Sequence, residues 1–432
     1  MKEKHEPFLF KRYPNLKNKV PWFPILTNTP TNIDRLTKLE NYLDYNEGEL
    51  YIKRDDKDHH IYGGNKLRKF EFIFGNVIKK KKKGIVTVGG IGTNHGAACA
   101  IICKNLQPPI ECKLYLFPQP VTWHVQRSLL LFDYFGLKLH LSSGDVSAFI
   151  RAILFRFFHP KFYFMFPGGS PLFGFGTSLG TLGFINAVLE LKEQIDNGII
   201  PEPDIIFVPG GSTGTSAGLI AGCKLFGLKT RVHVVAVYAD FLANPSAVKR
   251  NANKAIKFLR KCDKTIPKIR ITEEDFELIK GYLGSGYGIK TVSSQDAVDL
   301  LYDLEGKDKR FKFETTYTGK TLAGMLDFLK KEENKHKKVL FWNTYNSNEL
   351  VSFIKERGID YDNLPKEFHQ FFKQRSFQCW QITDCPEKIR EKCLAYLNHE
   401  YRFWKITECP LDEKKREEAF IYLNNAISFE KV

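Results

Sequence analysis

Short β-branched runs that stop at a turn and pass straight into helical periodicity recur along this chain. GIVTVGG (84–90) reads as a strand ending in a glycine turn, and HGAACAIICKNL (95–106) follows as a helix. CKLYLF (112–117) is a strand before the helix VQRSLLLFDYFG (125–136), and KLHLSS (138–143) is a further strand. FINAVLELKEQI (184–195) is a helix, DIIFVPGG (204–211) a strand ending in glycines, and SAGLIAGCKLF (216–226) a helix. RVHVVAVYAD (231–240) and KVLFWNT (338–344) read as later strands. Such alternation builds an α/β fold, a mostly parallel sheet with helices on both faces. In sheets of this kind ligands bind beyond the carboxyl ends of the strands, where these glycine turns lie.

Composition narrows the classes. A chain of 432 residues is long enough for two or three domains, and 43% hydrophobic with 14% aromatic content is that of a globular protein. The most apolar stretch, AILFRFFHPKFYFMF (152–166), is broken by Arg156, His159 and Lys161, so no membrane span and no membrane partner are expected. The opening MKEKHEPFLFKRYP has no apolar segment of the signal-peptide kind, which gives a cytosolic expectation. Nine cysteines without paired CxxC spacing read as reduced core thiols, and no metal site is expected. The net charge of +16 raises nucleic acid as a partner. Its one dense run, KKKKK (79–83), instead ends a helical pattern where cations suit the helix dipole, and no nucleic-acid-binding motif accompanies it. No nucleic-acid partner is expected.

Five stretches carry residues that could do chemistry. GGNKLRK (63–69) places Lys66 behind two glycines that let backbone approach a ligand closely. A lysine in a dry site has a neutral amine that attacks carbonyls; the alternative is a surface lysine. In GGIGTNH (89–95), Thr93, Asn94 and His95 could donate to a ring oxygen or a carboxylate, or Thr93 or Asn94 could simply be a helix N-cap. VPGGSTGTSAGL (208–219) sets the N–H groups of Gly211, Ser212, Thr213, Gly214 and Thr215, with three hydroxyls, at a helix start. It lacks the GK[ST] of a nucleotide triphosphate loop and is not GxGxxG, so a single phosphate monoester suits it, unless it is a structural turn. GSGYGIKT (284–291) and TTYTGKTLAG (315–324) each set a tyrosine, Tyr287 or Tyr317, among glycines, and Thr318 and Thr344 add hydroxyls.

A carbonyl-reactive lysine, a one-phosphate loop and an asparagine together describe pyridoxal 5'-phosphate. The order of these pieces resembles the D-cysteine desulfhydrase and 1-aminocyclopropane-1-carboxylate deaminase family, of the tryptophan-synthase-β-like fold (fold type II). The resemblance runs through FPILTNTPTNIDRL (23–36), YIKRDD (51–56), GGNKLRK, VGGIGTNH, PGGSPLFGFG (167–176), the glycine loop, GYG and YTGK, in family order. It implies two domains, each with a twisted, mostly parallel sheet: residues 1–66 with 185–360 as the large cofactor-binding domain, and 67–184 as the small one. It further implies that Lys66 carries the cofactor and moves the proton at substrate Cα, that Asn94 bonds the ring hydroxyl, and that Gly211 to Thr215 hold the phosphate. Thr93 stands where the family usually has a serine at the substrate carboxylate, with His95 and Thr344 also on the substrate side. Tyr287 and Tyr317 would flank ring and substrate, and Thr318 would face the ring nitrogen.

At Thr318 the family's deaminases typically have glutamate, so the resemblance favours β-elimination from a small amino acid, D-cysteine first. Deamination of 1-aminocyclopropane-1-carboxylate, elimination from another β-substituted amino acid, and a cofactor-binding protein that no longer catalyses are the alternatives. Tyr345 departs from the family, which usually has glycine there. A homodimer is also implied.

The C-terminal part, 361–432, lies outside the resemblance and reads as a small α-rich extension. WQITDCPEKIREKCLAYLN (380–398) is similar to WKITECPLDEKKREEAFIYLN (404–424), with Trp380 and Trp404 24 residues apart. Each copy runs from a Thr-acid-Cys-Pro segment into an amphipathic helical pattern.

Overall fold

The computed structural model describes residues 5–373, apart from 173, 241, 307–310, 351 and 355–360. The repeat at 380–424 lies outside the described residues. Among the described residues ten strands, β1 (Ile33–Arg35), β2 (Leu50–Lys53), β3 (Gly84–Gly90), β4 (Glu111–Phe117), β5 (Lys138–Leu141), β6 (Phe162–Phe164), β7 (Ile205–Gly210), β8 (Arg231–Ala236), β9 (Phe276–Ile279) and β10 (Val339–Trp342), form two sheets.

The larger of two compact units comprises Met1–Ile85 and His159–Asn348. Its six-stranded sheet runs β1-β2-β10-β7-β8-β9, parallel except for the edge strand β1. Interior strands of a parallel sheet are covered on both faces, which is why β7 and β10 are uninterrupted buried runs, IIFVPG and VLFW. β10 enters between β2 and β7, so the last of the described strands completes the centre of the sheet.

Three helices of this unit pack closely, Asn65–Lys79, Leu179–Asp196 and Gly214–Leu225. The middle one begins five residues before the 184 expected from the sequence, because LGTLG reads as a loop by composition. Its glycines serve close approach instead. A Cβ on Gly183 would lie 2.2 Å from the Arg68 carbonyl oxygen, and one on Gly218 would lie 2.4 Å from the Phe184 Cβ.

Beneath the first helix lies a closed network of charges. Arg68 donates to both Asp55 oxygens, at 2.6 and 2.8 Å, and to both Glu190 oxygens, at 2.9 Å. Lys53 donates to Glu190 at 2.7 Å and to Gln194 at 2.5 Å, and the Trp342 indole donates to Asp55 at 2.6 Å. All four charged groups are 0–1% exposed, and two cations balance two anions. Burial pushes the Glu190 carboxyl up, but Arg68 and Lys53 outweigh it and hold the group well below the usual carboxylate range.

The smaller unit comprises Val86–Phe158 and the described residues from Glu349 onward. Strands of the second sheet run β5-β4-β3 here, with β4 and β5 parallel. Its helices are Asn94–Asn105, Trp123–Tyr134 and Asp145–Phe158. The Gln126 amide donates to the Phe371 carbonyl at 2.7 Å, which ties the last described helix, Gln370–Lys373, to this unit. Among the described residues no helix is long and apolar enough to cross a membrane.

Candidate active site

In the larger unit Lys66 occupies the first turn of helix Asn65–Lys79 and is half-buried. Its amine donates to the Asn65 side-chain oxygen at 2.8 Å, and the Asn65 amide donates to the Thr215 hydroxyl at 3.0 Å. The lysine is thus linked through one side chain to the glycine loop. Gly64, which precedes the helix, has φ 110°, and a Cβ there would lie 2.7 Å from the Thr344 carbonyl oxygen and 2.8 Å from that of Tyr345. Only glycine fits this backbone and this space. The Asn65 N–H donates to the same Thr344 carbonyl at 3.2 Å. Thr344 therefore supports the Lys66 turn through its backbone.

The glycine loop ends at Thr213, which takes the left-handed φ of 59° and makes no capping bond to helix Gly214–Leu225. The first N–H groups of that helix are left for another acceptor. A Cβ on Gly214 would lie 1.9 Å from the Ser170 hydroxyl. The Ser212 hydroxyl lies 3.3 Å from that of Ser170, and the Asn251 amide donates to the Thr213 hydroxyl at 2.9 Å.

The cation of this cradle is Lys69, one turn after Lys66. It is 1% exposed, donates to Ser170 at 3.1 Å and to the Gly168 carbonyl at 3.0 Å, and forms no salt bridge among the described residues. Burial pushes its amine well below the usual lysine range, and the Lys66 charge pushes it further. A buried amine without a carboxylate, beside uncapped helix N–H groups and two serine hydroxyls, is suited to a phosphate. Sequence reasoning missed Lys69, Ser170 and Asn251. The signal for Lys69 was present in the spacing: Lys66 and Lys69 are i and i+3 on one helix face.

Tyr287 and Tyr317 come together, hydroxyl to hydroxyl at 2.7 Å, and a Cβ on Gly211 would lie 3.3 Å from the Tyr317 ring. Burial pushes Tyr287 up to about 12 and Tyr317 well above its usual value, so both phenols keep their protons at neutral pH. Thr318 is fully buried, and its hydroxyl accepts the Glu314 N–H at 2.9 Å and lies 3.2 Å from the Glu314 carboxylate. That carboxylate accepts the N–H groups of Thr316, Tyr317 and Thr318. Glu314, also missed from the sequence, thereby shapes the turn that carries Tyr317. Lys320 donates at 2.6 Å to the Leu283 carbonyl, which anchors the loop of Tyr287.

In the smaller unit Thr93 is the N-cap of helix Asn94–Asn105, its hydroxyl accepting the Gly96 N–H at 3.3 Å. Its methyl is seated over glycine, for a Cβ on Gly96 would lie 2.6 Å from Thr93 Cγ2 and one on Gly89 2.7 Å from it. Asn94 opens the helix beside it. The His95 ring turns into the core, Nε2 lying 3.0 Å from the Thr87 hydroxyl. The loop is braced by Gln119, whose side-chain oxygen accepts the Gly92 N–H at 3.3 Å, and by His124, 2.9 Å from the Gly92 carbonyl. Burial lowers the His124 ring to about 4, so at neutral pH it is uncharged and its Nε2–H donates to that carbonyl.

Known proteins resemble this chain throughout these elements. It is 28% identical to a D-cysteine desulfhydrase of Salmonella schwarzengrund over 341 residues, 76% of this chain and 95% of the relative. A D-cysteine desulfhydrase of Salmonella typhi is equally similar, 28% over 342 residues, with the same coverage. Among solved structures, an ACC deaminase homologue superposes with a TM-score of 0.64 at 22% identity, covering 82% of this chain and 98% of that one. The apo form of Escherichia coli diaminopropionate ammonia lyase does so with 0.52 at 14%, covering 79% and 89%. These likenesses show the shared fold, fold type II, expected from the sequence. Residues 25–345 match the family described as pyridoxal-phosphate dependent enzyme, and the chain belongs to that family, with pyridoxal phosphate as its cofactor.

Proposed function

We propose that this enzyme is a lyase that eliminates sulfide from D-cysteine. The supporting observation is the likeness to D-cysteine desulfhydrases over 95% of their length. Thr318, a neutral residue where the resemblance sets glutamate in the deaminases, favours the same reading. Thiolate leaves readily, and a neutral partner at the ring nitrogen is adequate for it.

The cofactor, when bound, supplies an electron sink for charge at the substrate Cα. Lys66 carries it and then, as a free amine, takes the Cα proton. Lys69, Ser170 and the N–H groups from Ser212 to Thr215 hold the phosphate. Asn94 donates to the ring hydroxyl, and Thr93, whose capping bond leaves its own proton available, donates to the substrate carboxylate. Tyr287 and Tyr317, protonated at neutral pH, hydrogen-bond the departing sulfur. With one water taken up, D-cysteine gives pyruvate, hydrogen sulfide and ammonia. The resemblance supports one further part of this reading, work as a homodimer, and a cytosolic location is proposed with it; sedimentation of the purified chain tests the first.

Cofactor-loaded protein given D-cysteine should release sulfide and pyruvate in equal amounts, with L-cysteine slower by tenfold or more. Release from L-cysteine or from 1-aminocyclopropane-1-carboxylate in preference to D-cysteine would replace this reading. The phosphate cradle has its own test. A charge-assisted hydrogen bond is worth about 1.5–3 kcal/mol, so Lys69→Met should weaken pyridoxal phosphate binding about 10- to 100-fold, read by equilibrium dialysis. Unchanged affinity would remove Lys69 from the cradle.

A further inference from the structure

Helix Asp145–Phe158 faces outward with its largest side chains. Val146, Ile150, Ile153, Leu154, Phe157 and Phe158 are 43–74% exposed, Phe157 the most. Their spacing, i, i+4, i+7, i+8, i+11 and i+12, sets all six on one face. The opposite face buries only Ala148 and Ala152. A helix whose fully buried residues are two alanines, and which presents Phe157 and Phe158 outward, leaves an apolar surface of the kind that another segment covers.

The chain itself contains such a segment. Lys373, the last of the described residues, closes a helix that Gln126 ties to the unit bearing the exposed face, and Phe368 and Phe371 are buried. From 374 to 432, 59 residues follow (432 − 373). They hold both copies of the Trp-x-Ile-Thr-acid-Cys-Pro unit. In the first copy Ile389, Cys393, Tyr396 and Leu397 recur at i, i+4, i+7 and i+8, the stripe of an amphipathic helix. A tethered segment competes for a face at an effective concentration on the order of millimolar, well above that of a separate molecule.

We propose that residues 374–432 dock, through the apolar stripes of the repeat, on the outward face of helix Asp145–Phe158 of the same chain. The test uses the full-length, cofactor-loaded protein with Phe157 replaced by the photo-cross-linker p-benzoylphenylalanine, in a mixture of ordinary and ¹⁵N-labelled chains. Irradiation should link position 157 to peptides from 374–432 of the same isotopic composition. Links between chains, or no protein link, as for a face turned to lipid or solvent, would overturn the proposal. A second measurement uses Leu154→Asp with Phe157→Asp, both exposed and outside the catalytic apparatus. Trypsin cleavage at Arg375, Arg390 and Arg416 should quicken at least tenfold while the bound-cofactor absorbance stays unchanged; an unchanged cleavage rate overturns it.

Discussion

Lys66→Ala protein is expected to lose the visible absorbance of lysine-bound cofactor and to eliminate sulfide at least about 10³-fold more slowly. The size of the effect follows from the two tasks that the proposed function gives one amine, tethering the cofactor and accepting the Cα proton. Position is fixed by backbone. Gly64 lies against the Thr344 and Tyr345 carbonyls, and Asn65 bridges Lys66 to Thr215 in the phosphate loop. The half-buried side chain carries little packing, so the melting temperature should stay within a few degrees of the parent. Lys66→Arg should not restore activity, since a guanidinium stays charged and is a poor nucleophile. Persistence of the lysine-bound absorbance in Lys66→Ala would remove Lys66 from this role.

The second large effect is on stability. Glu190→Ala takes one anion from the buried network and leaves Lys53 and Arg68 to share Asp55. Removing one partner of a buried ion group costs about 3–5 kcal/mol. For a unit of this size that is a fall in melting temperature of about 10 °C. Glu190→Gln, which keeps the shape and loses the charge, should fall between the parent and Glu190→Ala. The pH dependence has a fixed sign. The folded glutamate is held below its unfolded value of about 4.3, so its contribution is complete above that pH. It fades as the pH falls from there toward the folded value, and the gap between parent and Glu190→Ala should close in the same range. Urea titration at pH 7 and pH 3 reads this. A gap of less than 1 kcal/mol at neutral pH would mean that water or relaxation replaces the carboxylate.

What could be read from the sequence was what is local. Lys66 behind Gly-Gly-Asn, the glycine loop with its hydroxyls, and the strand–turn–helix alternation are each contained in a dozen residues. Their glycines are demanded by close approach, of backbone carbonyls to Gly64 and of the Ser170 side chain to Gly214. The missed residues meet only in space. Lys69 reaches Ser170 from 101 positions away, and Arg68 reaches Glu190 from 122. No spacing rule marks such pairs. Thr93 shows a third case, for the two readings of it are compatible: the hydroxyl caps its helix and retains a proton to give. His95 differs again, since its place in the motif pointed to the substrate side while its ring bonds to Thr87.

The position of β10 sets an order of events during synthesis. This strand, at the centre of the larger sheet, is drawn from residues 339–342, and Trp342 then closes the network under the Lys66 helix. The carbonyls that back Gly64 follow at 344 and 345. A ribosome-bound chain has made Lys66, the glycine loop and both tyrosines well before this, yet the seat of Lys66 is complete only once residue 345 has emerged from the exit tunnel. Contacts this distant in sequence form slowly, and partial chains expose the edges of β2 and β7 in the meantime. Capture of pyridoxal phosphate is therefore a late step of biogenesis, and nascent chains stalled before residue 339 should not retain it.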